Sequence, residues 1–156
     1  MRACLVFMTM LSFSLAALCC SQADRQLQPP PKLVDAVKTV AYAIAFHEKL
    51  EEVKSIAHLL TMLPSEDGVQ REQNSSNIVL TERVTGSILH VNADLDAWKQ
   101  RNRNPDRIAV FSRFTAKEKH YVLCITFDTR IYYVEESDID WQSVSHEAFL
   151  PPRTPS

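Results

Sequence analysis

The sequence predicts an α+β fold: one long N-terminal helix packed on a four- to five-stranded antiparallel meander. Two patterns along the chain carry that prediction. Over residues 32–63 apolar side chains recur with the helical period, and over residues 77–135 the period drops to two while β-branched and aromatic residues accumulate. A third observation bounds what holds the fold together. Of the 4 cysteines, Cys4, Cys19 and Cys20 lie within the first 23 residues, so a chain processed after Ala23 keeps only Cys124 and can form no internal disulfide. Core packing must then stabilise it unaided.

Those first residues read as a signal peptide. Arg2 supplies the positive n-region, residues 5–18 form an almost uncharged h-region, and Ser21-Gln22-Ala23 places small residues where signal peptidase needs them. Cleavage there leaves 133 of the 156 residues, near the usual size of one domain, where folding removes roughly two-thirds of the unfolded chain's surface from water. The h-region is too short to span a bilayer, and the next apolar run, residues 34–46, is interrupted by Asp35 and Lys38. No stable membrane anchoring is expected once the signal is gone. Losing Arg2 leaves 16 basic residues against 19 acidic ones, a net charge of -3 that argues against nucleic acid as a partner.

Taken in order, residues 24–31 end in three prolines and form a leader that favours an extended conformation. In the domain proper, residues 32–142, Leu33, Val37, Val40 and Ile44 make one apolar stripe. Leu50, Val53, Ala57 and Leu60 continue it with a small change of phase, so a bend or break is expected near residues 47–51, and Pro64 ends the helix. Residues 65–76 are polar and read as an exposed loop. Strands are expected at 77–84, 87–91, 107–115, 120–127 and 130–135, with a hairpin loop at 116–119 and a tight turn at Asp128-Thr129. Between the second and third, Asp94 is a candidate N-cap, Trp98 an anchor and Pro105 a stop for one or two helical turns. In the strand at 120–127, Tyr121, Leu123, Ile125 and Phe127 alternate with Val122, Cys124 and Thr126. Both faces are therefore largely apolar, and the strand should be central and covered on both sides, by sheet curvature, the Trp98 segment or a partner. Residues 143–156 read as a flexible tail.

Few residues suggest chemistry. His47, Glu51 and His58 fall at spacings of four and seven and would share a stripe on an unbroken helix, but they do not form HExxH, and an i,i+4 polar edge accounts for them. No metal, cofactor or catalytic residue is assigned. Cys124 sits mid-strand among apolar residues, the setting of a small buried hydrophobe rather than of a nucleophile with His90 or His120 as base. Trp98, Lys99, Arg101 and Arg103 form a locally basic segment with an aromatic, flanked by Asp94, Asp96 and Asp106, and are the partner-binding candidates. A secreted hydrolase or nuclease would need Arg101, Arg103 or Arg107 to face a cleft with Glu82, His90 or His120. Asn74-Ser75-Ser76 is a glycosylation sequon in the expected loop, with Asn74 as its acceptor.

Glu82-Arg83-Val84-Thr85-Gly86, after a helix and before a meander, resembles the cystatins, whose inhibitory hairpin carries Gln-x-Val-x-Gly. Val84 and Gly86 match, Glu82 stands in place of the glutamine, and Asp140-Trp141 stands where that family has Pro-Trp. That resemblance implies an inhibitory loop at Val84 and Gly86. In whole-chain organisation, with a signal peptide, a short proline-bearing leader, one compact domain and no enzyme signature, the protein is similar to small secreted effectors of plant-pathogenic fungi. The expectation is a secreted, non-enzymatic interaction protein with a protein partner. A domain without disulfides would also tolerate the reducing cytoplasm of a host cell.

Overall fold

Two helices, rather than one, carry the apolar stripe of residues 32–63. In a computed structural model that describes residues 28–64, 67–74, 77–141 and 149–152, α1 spans Pro31–Ala45 and α2 spans Ile56–Met62. Pro31 opens α1 at a position where its missing N–H costs nothing, and Leu33, Ala36, Val37, Val40, Ala41 and Ile44 form its buried face. The chain has a physical reason to break. At about 100° per residue, Leu60 on a continuous helix would be rotated by roughly 160° from Ile44, so the second stripe would face away from the core. The phase change is thus close to half a turn rather than small. The intervening loop lets Leu50 and Val53 bury themselves and re-aims Leu59 and Leu60 inward. Ser55 caps α2 by accepting from the His58 N–H at 3.1 Å.

The sheet is an antiparallel meander of β1 (Val69–Asn74), β2 (Asn77–Glu82), β3 (Ile88–Asn92), β4 (Ile108–Ala116), β5 (Lys119–Thr126) and β6 (Ile131–Glu135), in that spatial order. A short β7 (Phe149–Leu150) pairs with β3, taking Val91 and Asn92 on the edge whose start, Ile88 and Leu89, is held by β2. Between β3 and β4 lies α3 (Leu95–Lys99), followed by a 3-10 turn at Arg101–Arg103.

Two strands go beyond the four or five expected. β1 lies inside the polar stretch read as a loop; its sequence VQREQN lacks apolar alternation because it is an edge strand, held by its ladder to β2 from Val69↔Glu82 to Asn74↔Asn77. β7 lies in the stretch read as a tail, and Phe149 is buried.

Each face of the sheet is covered. Tyr121, Leu123, Ile125 and Phe127 of the β5 region join Val110 and Phe114 under α1 and α2 in the main core. On the opposite face Phe111, Val122, Cys124 and Phe149 form a second cluster, with Ile108, Ile139 and Trp141 packed against it. The returning chain, rather than the Trp98 segment, is therefore the second cover. Phe111 is the hub of that cluster: His90 stacks on it at 4.5 Å between ring centroids, Phe149 meets it edge-on at 4.9 Å, and Trp141 lies 5.5 Å away. The Arg113 guanidinium lies 5.9 Å from the Phe111 ring and 5.7 Å from that of Trp141, while its Nε donates to Glu136 at 2.7 Å.

Candidate functional site

Trp98 is not a surface residue. It is 1 % exposed, its indole N–H donates to the Asn92 carbonyl at 2.7 Å, and its ring meets Phe127 edge-on at 4.8 Å. The sequence expectation that it contacts a partner is corrected on that ground: the indole, carried on the inward side of the short α3, is the apolar plug that fastens the segment to the sheet. Asp94 starts α3 by accepting from the Ala97 N–H at 3.0 Å, and its other oxygen accepts from Arg107 at 3.2 Å. Asn92 braces both ends of the segment, donating to the Ile108 carbonyl and accepting from the Asp94 N–H, each at 2.9 Å.

Fastening Trp98 inward carries the basic residues of the segment against the end of α1. Lys99 Nζ donates to the Glu51 carbonyl at 3.2 Å. Arg101 donates to the Trp98 carbonyl at 3.4 Å and sets its guanidinium 6.0 Å from the centre of the Phe46 ring. Arg103 remains exposed and donates to the Gln100 side chain at 3.3 Å. Phe46 is 72 % exposed, and Tyr42, one turn earlier, lies 6.1 Å from it between ring centroids. Phe46 and the exposed Met62 also border one open hollow beside His47 and Lys49. The result is an aromatic-cationic patch of Tyr42, Phe46, Lys99 and Arg101. Phe46 was hidden in the sequence because it ends the apolar run at residues 34–46; the signal that marks it is its place two residues after Ile44, roughly 200° around the helix and away from the buried stripe.

A second constructed feature is the loop between β2 and β3. The Glu82 side chain is buried and accepts from the Val84 N–H at 2.8 Å, the Thr85 N–H at 2.7 Å and the Thr85 hydroxyl at 2.6 Å. Desolvation alone would raise the pKa of this carboxyl, but the Thr85 hydroxyl, the two backbone N–H groups and the charge of Lys32 outweigh it and hold the value below the ordinary glutamate range. The Gly86 N–H closes the turn on the Glu82 carbonyl at 2.8 Å, with Gly86 in the left-handed region at φ 69. At the apex Val84 is 74 % exposed. A buried carboxylate therefore holds an apolar side chain out into water, and both inhibitory-loop candidates, Val84 and Gly86, lie in this turn.

Other candidates are not gathered together. His90 lies on the face away from α1, where Nδ1 is 2.8 Å from the Pro151 carbonyl oxygen; Glu82 is engaged in its own turn, His120 contacts Thr115, and Arg107 pairs with Asp94. The arginine cleft with Glu82, His90 or His120 as base is not formed. His47 and Glu51 fall in the loop between the helices while His58 lies in α2, so they share no helical stripe. Cys124 is buried, and desolvation pushes its thiol up to about 12 even though the cross-strand Tyr132 hydroxyl opposes the shift. Asn74 ends β1, and the Ser75-Ser76 part of its sequon lies outside the described residues, as do the stretch read as a signal peptide and residues 24–27 of the expected leader. Among the described residues no helix is long and apolar enough to cross a membrane.

The fold and these sites define an α+β protein that displays two small surface features on a two-layered scaffold. No family model, curated protein or solved structure matches the chain.

Proposed function

We propose that the chain is a secreted, non-enzymatic interaction protein, effector-like in its organisation, which engages a partner protein through the patch around Phe46 and Arg101. The observation that carries this reading is a phenylalanine 72 % exposed with a guanidinium over its face. Exposed aromatic rings beside arginine are the residue types that dominate binding energy at interfaces. Lys99, Arg101 and Arg103 favour a partner that presents carboxylates around an apolar contact. Such a fold, needing no disulfide, suits action inside a host cell as well as outside it.

Proximity labelling with the secreted protein tests this, run beside Phe46→Ser/Arg101→Glu and Val84→Ser and followed by direct binding of the partner once purified. The reading expects a partner lost in the first variant and retained in the second. A partner indifferent to Phe46 and Arg101 overturns it.

A second reading, cystatin-like inhibition of a cysteine protease, is favoured by one observation, the apical Val84 held out by Glu82. Inhibition of a papain-type enzyme that disappears in Val84→Ser would support it, and an unaffected protease would remove it.

A further inference from the structure

Beneath the β2–β3 turn the two helices and the first two strands do not close completely. Val40 and Ala43 of α1, Leu60 of α2, Leu63 after it, Val69 of β1 and Leu80 of β2 wall a cavity of about 170 Å³. The edge strand β1, VQREQN, carries only one apolar side chain, Val69, to fill the space between the helices and the sheet edge. Gln70 adds an uncharged amide to the cavity lining, and among the described residues the lining's charged groups are Arg71 and Arg83.

The two arginines have different tasks. Arg71 Nη1 donates to the carbonyls of Leu60 at 2.8 Å, Thr61 at 3.0 Å and Leu63 at 2.8 Å, so it serves as the C-terminal cap of α2. Arg83 is exposed, and its guanidinium has no hydrogen bond or ion pair among the described residues. Its position is nonetheless constrained, because its backbone N–H donates to the Gly68 carbonyl at 2.9 Å and its neighbour Glu82 fixes the turn. A guanidinium with no partner among the described residues, on a constrained backbone at the rim of an apolar cavity that bears a second cation, suits a carboxylate with an apolar tail.

We infer that this cavity is a binding site for a short aliphatic monocarboxylate, whose carboxylate pairs with Arg83 and whose tail lies against Ala43, Leu63 and Leu80. The assignment is independent of the partner surface at Phe46. It commits to the shared chemistry of a free short-chain acid and an acylated leucine, which carry the same groups.

Titrating the purified protein with hexanoate, N-acetyl-leucine and hexylamine while following backbone amide resonances separates the outcomes. Hexanoate or N-acetyl-leucine should shift the amides around Ala43, Leu63 and Leu80 saturably, in the millimolar range or tighter as expected for so few heavy atoms, and hexylamine should not. The tighter of the two acids identifies the source of the carboxylate. Arg83→Gln, an exposed change that leaves the core intact, should weaken binding roughly tenfold or more through loss of a charge-assisted contact. Ala43→Leu should abolish it by filling the wedge while the thermal midpoint is kept. Equal shifts with hexylamine, full affinity in Arg83→Gln, or no saturable shift with either acid would overturn the inference.

Discussion

The Thr85 hydroxyl and the Thr85 backbone N–H both donate to the same carboxylate oxygen of buried Glu82, at 2.6 and 2.7 Å. A side chain that accepts several donors in a desolvated place is an organiser of its turn, and its charge is part of the fold. Glu82→Gln keeps the shape but turns an NH2 group toward N–H donors, so it should cost about 2 kcal/mol or more in urea unfolding. Since the folded pKa lies below the unfolded one, Glu82 contributes stability above its unfolded value and loses it as pH falls through the depressed folded value. Wild type should therefore show a steeper acid limb below the ordinary glutamate range than Glu82→Gln. Parallel acid limbs would show that the carboxylate does not stabilise the turn.

Trp98→Ala should cost about 3–5 kcal/mol, a large fraction of a domain's stability, because it removes a plug that touches Phe127 and orphans the Asn92 carbonyl. Trp98→Phe should cost less but still about 1–2 kcal/mol for the lost hydrogen bond. Calorimetry on the two variants separates packing from hydrogen bonding. A near-neutral Trp98→Ala would contradict the burial described above.

Cys124 should resist thiol reagents at pH 8 in the folded protein and react fully in denaturant, since burial pushes its thiol up to about 12. The linkage has a definite sign. With the proton held more tightly when folded, stability should decline as pH rises from the unfolded thiol value near 8.5 toward about 12, and Cys124→Ala should flatten that decline. Rapid labelling of native protein would rule this out.

The β4–β5 hairpin turns through Lys117 and Glu118 at φ 49 and 62, a pair of left-handed residues that favours Asn-Gly. Lys117→Asn/Glu118→Gly should raise stability by about 1 kcal/mol and the melting temperature by a few degrees. No gain would show that these two residues carry no strain.

Much of the sheet was readable because its strands obey local rules. β5 alternates two apolar sets, and the structure buries one set under the helices and the other under the returning chain. β1 was unreadable for the opposite reason: an edge strand with polar side chains needs only ladder bonds, which leave no trace in hydropathy. At the candidate site, Arg101 was visible as charge and Phe46 was visible only as apolar. That one covers the other depends on Trp98 turning inward, a tertiary event that spacing cannot encode. Val84 and Gly86 were legible as a pattern, while the anchoring task of Glu82 was not, because a glutamate beside a turn ordinarily faces water.

The contact between His90 and Pro151 joins residues 61 positions apart. Because Trp141 and Phe149 cover Phe111, a ribosome that has delivered all six strands of the meander has still produced a sheet with one greasy side bare. Final folding must wait for the last stretch of chain to emerge, and until then the nascent protein is a client for chaperones that hold exposed apolar surface.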